Sequence, residues 1–121
     1  MRFTANYQRL SDVIDIIIPT TVSLAKRAGK VSSGESAVKE SIRSGSAHLV
    51  LIAEDVSANT FKSITDSCAY YNVSYISIGT KAELGHSIGK EFAAAVAICD
   101  AGFAKSIDNK ITANINGGEV L

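Results

Sequence analysis

The stretch that decides the fold runs Gly34-Glu35-Ser36-Ala37-Val38-Lys39-Glu40-Ser41-Ile42-Arg43-Ser44-Gly45, then Ser46-Ala47-His48-Leu49-Val50-Leu51-Ile52-Ala53-Glu54-Asp55, then Val56-Ser57-Ala58-Asn59-Thr60. It reads without a break as a helix, a tight turn, a buried strand, an acidic strand end and the start of a second helix. Over Glu35 to Ser44 the helical period gathers Ala37, Val38, Ser41 and Ile42 on one face and leaves Lys39, Glu40 and Arg43 outside it. Gly45 is placed to end that helix, because glycine tolerates the left-handed conformation of a helix C-cap. Ala47 to Ala53 has too little polar alternation for a half-exposed strand, so the strand is expected to be covered on both faces. Such strands belong to sheets sandwiched by helices.

Working outward toward the N-terminus, Pro19 fits the first turn of a helix over Thr20 to Ala28, ended by Gly29, and Lys30-Val31-Ser32 forms a short strand. Toward the C-terminus, Ser57 or Asn59 caps a helix carrying Phe61, Ile64, Thr65, Cys68 and Ala69 at helical spacing, with Asn72 as its stop. Val73 to Ile78 alternates and is rich in β-branched residues, a strand ended by Gly79. Thr80 then caps a short helix through Leu84 to Ile88 ended by Gly89, Phe92 to Cys99 is a second fully apolar strand, and Ala101 to Ile107 is a last helix. The order αβαβαβαβα makes one domain with a helix-covered sheet. Residues 1–19 read as an N-terminal extension, 20–107 as the domain and 108–121, with their Asn, Thr and glycines, as a flexible tail.

With 121 residues the chain has the size of one ordinary domain. Twelve basic and twelve acidic residues give zero formal charge, so any nucleic-acid site must be a local patch rather than a global field. The apolar window Val13 to Ile18 is interrupted by Asp15, followed by Pro19, and far short of the about 20 residues a membrane span needs. It lacks the layout of a secretory signal, and a cytoplasmic, membrane-free protein is the expectation. Cys68 and Cys99 show no CxxC spacing and read as buried structural thiols, with no metal site.

No chemistry-bearing constellation emerges. Neither GxxxxGK[ST] nor GxGxxG follows a strand. His48 opens a core strand and His86 lies near a helix end, with no nucleophile elbow to serve, so both read as polar or solvent-facing. Glu54 and Asp55 stand at a strand end but point oppositely, and capping of the next helix is the preferred reading. What remains is local charge: Lys26, Arg27, Lys30, Lys39 and Arg43 against Glu35 and Glu40. This is either a solvated helix surface or a phosphate-facing edge, made where the Gly29 to Gly34 connection joins one helix end to the next helix start. In the second case the amides of Gly34, Glu35 and Ser36 form an anion site that the cations strengthen.

Leu24-Ala25-Lys26-Arg27-Ala28-Gly29-Lys30-Val31, Gly34-Glu35, Ala47 to Asp55 and Leu84-Gly85-His86-Ser87-Ile88-Gly89-Lys90 occur in one order and spacing. Together they resemble the superfamily of large-subunit ribosomal proteins seven-Ae and thirty-e. Asn59-Thr60, Cys68-Ala69-Tyr70-Tyr71 and Asp100-Ala101-Gly102-Phe103-Ala104 extend the likeness to its bacterial YlxQ-like branch. The resemblance covers about Leu24 to Ile107.

It implies a three-layer α/β/α sandwich with a mixed central sheet of about four strands, and a non-catalytic protein that binds kink-turn RNA without a cofactor. The implied partner is structured RNA, with ribosomal RNA or the ribosome among the candidates. The RNA-binding residues it implies, joined to the charge reading, are Arg27, Lys30, Gly34, Glu35, Ser36, Lys39 and Arg43, with Ile88, Gly89, Lys90 and Phe92 in the loop after the LGxxxG helix. Within the GxNExxK-like motif this chain departs: Ser36 stands for the Asn, Ala37 for the Glu and Glu40 for the Lys, with Lys39 as the neighbouring cation. Ala37 cannot accept from a guanine, and Glu40 repels a phosphate. The alternative function is a protein-interaction module on the same fold.

Overall fold

Leu49-Val50-Leu51-Ile52 sends Leu49 and Leu51 into one apolar cluster and Val50 and Ile52 into another, as the period of a strand requires. All four residues are buried, so this strand has helices on both sides. The computed structural model describes residues 18–120; the expected extension before Ile18, including most of the Val13 to Ile18 window, lies outside the described residues. A π-helical turn, Ile18–Val22, runs into α1, Ser23–Arg27. There follow β1 Val31–Ser33, α2 Glu35–Ser44, β2 Leu49–Ile52, α3 Ala58–Tyr71, β3 Ser74–Ser77, α4 Lys81–Ser87, β4 Ala95–Ile98 and α5 Ala101–Val120.

The four strands form one sheet in the order β1-β4-β2-β3. β4 is antiparallel to both β1 and β2, while β3 runs parallel to β2. On one face Leu49, Leu51, Val96 and Ile98 pack with Val22, Leu84, Ile107 and Ile111 from the layer of the π-helical turn, α4 and α5. On the other, Val50, Ile52, Ala95 and Ala97 pack with Val38 and Ile42 of α2 and Ile64 and Cys68 of α3. The result is the expected three-layer sandwich with a mixed sheet. Among the described residues no helix is long and apolar enough to cross a membrane.

Local signals behave as their chemistry dictates. Gly45 adopts φ 85° and Asn72 φ 59°, both left-handed, and end α2 and α3. The Ser57 side chain accepts from the Thr60 N–H at 3.1 Å, and Thr80 forms a reciprocal capping box with Glu83. Two expectations need correction. The last helix does not stop at Ile107: Ala104, Ile107 and Ile111 continue one buried stripe at helical spacing, and the helix runs to Val120. Asp55 does not cap the next helix; its Oδ1 accepts from the Lys81 N–H at 2.8 Å, at the start of α4. Parallel pairing of β2 with β3 brings the ends of both strands together, and this puts Asp55 beside the later helix.

Because β4 alone is reversed, the sandwich has two distinct ends. At one, β1, β2 and β3 finish and β4 begins; at the other, those three begin and β4 finishes.

Candidate nucleic-acid interface

Gly34 lies at the first of these ends, between β1 and α2, with φ 91° and ψ 155°, a conformation that side-chain-bearing residues rarely adopt. Its N–H donates to the Ala95 carbonyl at 3.1 Å, so it is not the free anion-binding amide expected from the sequence. The first intrahelical bond runs from the Val38 N–H to the Gly34 carbonyl at 2.9 Å. That geometry leaves the amides of Glu35, Ser36 and Ala37 opening the helix, and glycine supplies no side chain to cap them. Ser36 and Ala37 are exposed there. The helix dipole adds partial positive charge at the same place.

The loop after α4 meets this helix start. A Cβ on Gly85 would lie 2.7 Å from the backbone N, Cα and C of Phe92, so the helix and the returning loop approach closely only because residue 85 is glycine. The Lys90 N–H donates to the Gly85 carbonyl at 2.8 Å, and the Ala93 N–H to the Lys81 carbonyl at 2.9 Å, which closes the loop over α4. Gly89 takes φ 76°. Ile88 points inward, 5% exposed, and anchors the loop in the core, so its side chain does not belong to an outer surface. Phe92, in contrast, is 63% exposed, an apolar ring left in water. Lys90 reaches across: its Nζ donates to Ser33 Oγ at 3.0 Å, and that bond ties the loop to the residue before Gly34.

The rest of the expected cluster does not converge here. Lys39 is half-buried and turned toward α3, where its Nζ donates to Ser63 Oγ at 2.7 Å. Glu35 accepts from Thr60 Oγ1 at 3.3 Å. Arg43, about two turns along α2, pairs with Glu40 at 2.7 Å on the exposed surface, and this carboxylate holds the guanidinium pKa above its ordinary value through its hydrogen bond and its charge. A shallow groove of about 400 Å³ runs between α2 and α3, with Ser36, Lys39 and Arg43 on one wall and Ser67 and Tyr71 on the other. Arg27 and Lys30 sit at the opposite end of the sandwich. Three residues of β1 separate Lys30 from Gly34, about 13 Å at strand rise. The Gly29 to Gly34 connection therefore spans the sheet instead of joining two helix ends.

This splits the charge of a neutral chain. Around Gly34 the exposed or half-buried acids are Glu35, Glu54, Asp55, Glu83 and Glu91, with Lys39, Lys81 and Lys90 as the nearby bases. Composition could not reveal that division, since it depends on which strand is reversed. The bridge from Lys90 to Ser33 was equally invisible: the two residues are 57 positions apart.

Fold and site together define a small three-layer sandwich with an uncapped helix start and a glycine-closed loop meeting at one end. Residues 18–107 match the ribosomal protein L7Ae/L30e/S12e/Gadd45 family, and the chain belongs to it. It is 50% identical over 86 residues to the RNA-binding protein YlxQ of Bacillus subtilis, covering 71% of this chain and 86% of that one. With the large ribosomal subunit protein eL8 of Picrophilus torridus it shares 36% identity over 91 residues, covering 74% and 72%. Among solved structures it is similar to a protein of unknown function from Bacillus halodurans C, with a TM-score of 0.75, 28% identity, and coverage of 78% of this chain and 96% of that one. The Giardia lamblia 15.5kD RNA binding protein shares the fold at a TM-score of 0.66 and 18% identity, covering 87% and 89%.

Proposed function

We propose that this chain is a non-catalytic RNA-binding protein that recognises kink-turn or similarly bent structured RNA through its Gly34 end. The observation that carries the reading is the 3.0 Å bond from Lys90 to Ser33, which makes one surface of the α2 start and the exposed Phe92 loop. Amides at Glu35, Ser36 and Ala37 are suited to a phosphate at a bend, Ser36 to a polar base edge, and Phe92 to stacking on an unpaired base. The relatives named above as RNA-binding and ribosomal proteins support the same class of partner. The excess of acids around this surface makes close fit to a bent backbone more important than bulk attraction, because a straight duplex offers phosphates but no bend.

The test is a titration of one kink-turn and one straight duplex of equal length at fixed salt. The expected result is at least about tenfold tighter binding of the kink-turn, a difference of about 1.4 kcal/mol. Equal affinities overturn the reading. A second reading, a protein-interaction module, is favoured by those same acids and by Ala37 and Glu40 in place of the family's Glu and Lys. It predicts no binding to either RNA and purification without a nucleic-acid absorbance signature.

A further inference from the structure

We propose that the opposite end of the sandwich is a second RNA-contacting surface, which takes the phosphate backbone of a duplex while the Gly34 end holds the bent RNA. The proposal rests on the RNA-binding reading and adds a second, separate site to it.

The topology brings this surface together. The Cys99 N–H donates to the Lys30 carbonyl at 2.7 Å, and the His48 N–H donates to the Ile98 carbonyl at 2.9 Å. The start of β1, the finish of β4 and the start of β2 therefore lie side by side, with Lys30 and His48 about 10 Å apart across two strand spacings. Lys26 and Arg27 end α1 just before Lys30, and Lys105 of α5 lines a hollow of about 250 Å³ with His48 and Ser74. Lys26, Arg27, Lys30, His48 and Lys105 are all exposed. Among the described residues, the side chains of Lys26, Arg27, Lys30 and Lys105 carry no hydrogen bond or ion pair.

The acids nearby do not cancel this charge. Glu40 is engaged by Arg43; Asp100, which caps α5 by accepting from the Phe103 N–H at 2.9 Å, and Asp108, beside Lys105 in the hollow, keep their charges, so two acids stand against Lys26, Arg27, Lys30 and Lys105 and the balance stays positive. Helix dipoles account for only part of the pattern. Lys26 and Arg27 complement the negative end of α1, but Lys30 serves no helix end, and Lys105 sits in the second turn of α5, far from that helix's negative end. A net positive surface that extends about 10 Å from Lys30 to His48 matches a partner that carries a charge every 1.7 Å or so of duplex axis. Binding of this kind is expected to be indifferent to sequence and steep in salt.

The experiment fills the Gly34 end with one equivalent of unlabelled kink-turn and adds a fluorescent straight RNA duplex. The expected result is a ternary complex, with duplex affinity falling steeply as salt rises. Arg27→Glu with Lys30→Glu and Lys105→Glu should weaken duplex binding at least about tenfold while kink-turn affinity moves less than about twofold. Should the triple variant melt early, Lys30→Gln with Lys105→Gln is read instead and should still weaken the duplex. A duplex that the kink-turn displaces, or that binds variant and wild type alike, overturns the proposal. If the kink-turn itself does not bind, the duplex titration on the free protein is read directly: loss in the variant upholds the basic surface while refuting the Gly34 site, and no loss refutes both.

Discussion

The two ends of this sandwich differ in how they can meet a nucleic acid. At the Gly34 end the usable groups are few and held in place: helix amides, Lys90 fixed on Ser33 and a loop closed over Gly85. Acids surround them. At the other end Lys26, Arg27, Lys30 and Lys105 are long and exposed, and among the described residues no bond fixes their geometry. Fixed dipoles and fitted rings can discriminate shape, whereas long cationic side chains attract phosphate of any shape. The lesson is that zero net charge in a small protein can conceal two unlike surfaces, one suited to selectivity and one to attraction.

The strongest way to break the comparison is Gly85→Ala. The new Cβ would sit 2.7 Å from the Phe92 backbone, which cannot yield as a flexible side chain would. Overpacking of this kind costs about 1 to 3 kcal/mol, read as a lower midpoint in thermal or denaturant unfolding. In the fraction that stays folded, kink-turn binding should fall more than about tenfold, since the Phe92 loop loses its seat, while duplex binding at the basic end stays unchanged. Equal losses at both ends would mean that the ends are not independent.

Next in size is a gain. Ala37→Glu with Glu40→Lys restores a base acceptor in the first turn of α2 and replaces an anion by a cation on its exposed side. A bidentate base contact contributes about 1 to 3 kcal/mol on the DNA scale, so kink-turn binding should tighten at least about tenfold. The change also releases Arg43 from Glu40. A well-folded double variant with no gain would count against docking of bent RNA on this surface.

Lys90→Ala should act more mildly. It removes one cation and the bond to Ser33, so the slope of log affinity against log salt for the kink-turn should become shallower by about one contact. Lys30→Ala should leave that slope as it is and change only the slope for the duplex. The opposite pattern would exchange the roles of the two ends.

The smallest expected effect is a labelling difference. Cys99 is half-buried and bonded through its backbone to Lys30, so a duplex on the basic end should slow its alkylation and one equivalent of a kink-turn should not. Cys68 should stay silent in both cases, because burial pushes its thiol up to about 11 and the thiolate is the reacting form. The fold therefore favours the protonated thiol. That stabilisation is present below the ordinary thiol pKa of about 8.5 and is lost as pH rises through about 11.

Much of this fold is written in short-range chemistry. The bounds of α2, its Gly45 cap, the Ser57 and Thr80 caps and the doubly covered β2 and β4 all follow from periodicity and capping residues that act within a few positions. The sheet order does not, because reversal of β4 is decided by packing across the whole chain. From that one non-local fact come the separation of Arg27 and Lys30 from Gly34, the Gly34 amide spent on Ala95, and Asp55 beside α4. The run of α5 past Ile107 was masked by tail-like composition, although Ile111 carried the stripe on. Ile88 entered the expected site because it lies in the right loop, and its apolar side chain was the available sign that it faces the core.

The central claim is that bent RNA binds at the Gly34 end. The most direct measurement is amide chemical-shift mapping of isotope-labelled protein titrated with a kink-turn at moderate salt. The account predicts that, up to one equivalent of RNA, the resonances of Glu35, Ser36, Ala37, Gly89, Lys90 and Phe92 shift or broaden together, while those of Lys30, His48 and Lys105 move only once RNA is in excess. Shifts confined to Lys30, His48 and Lys105, or no shifts at either end, would contradict it.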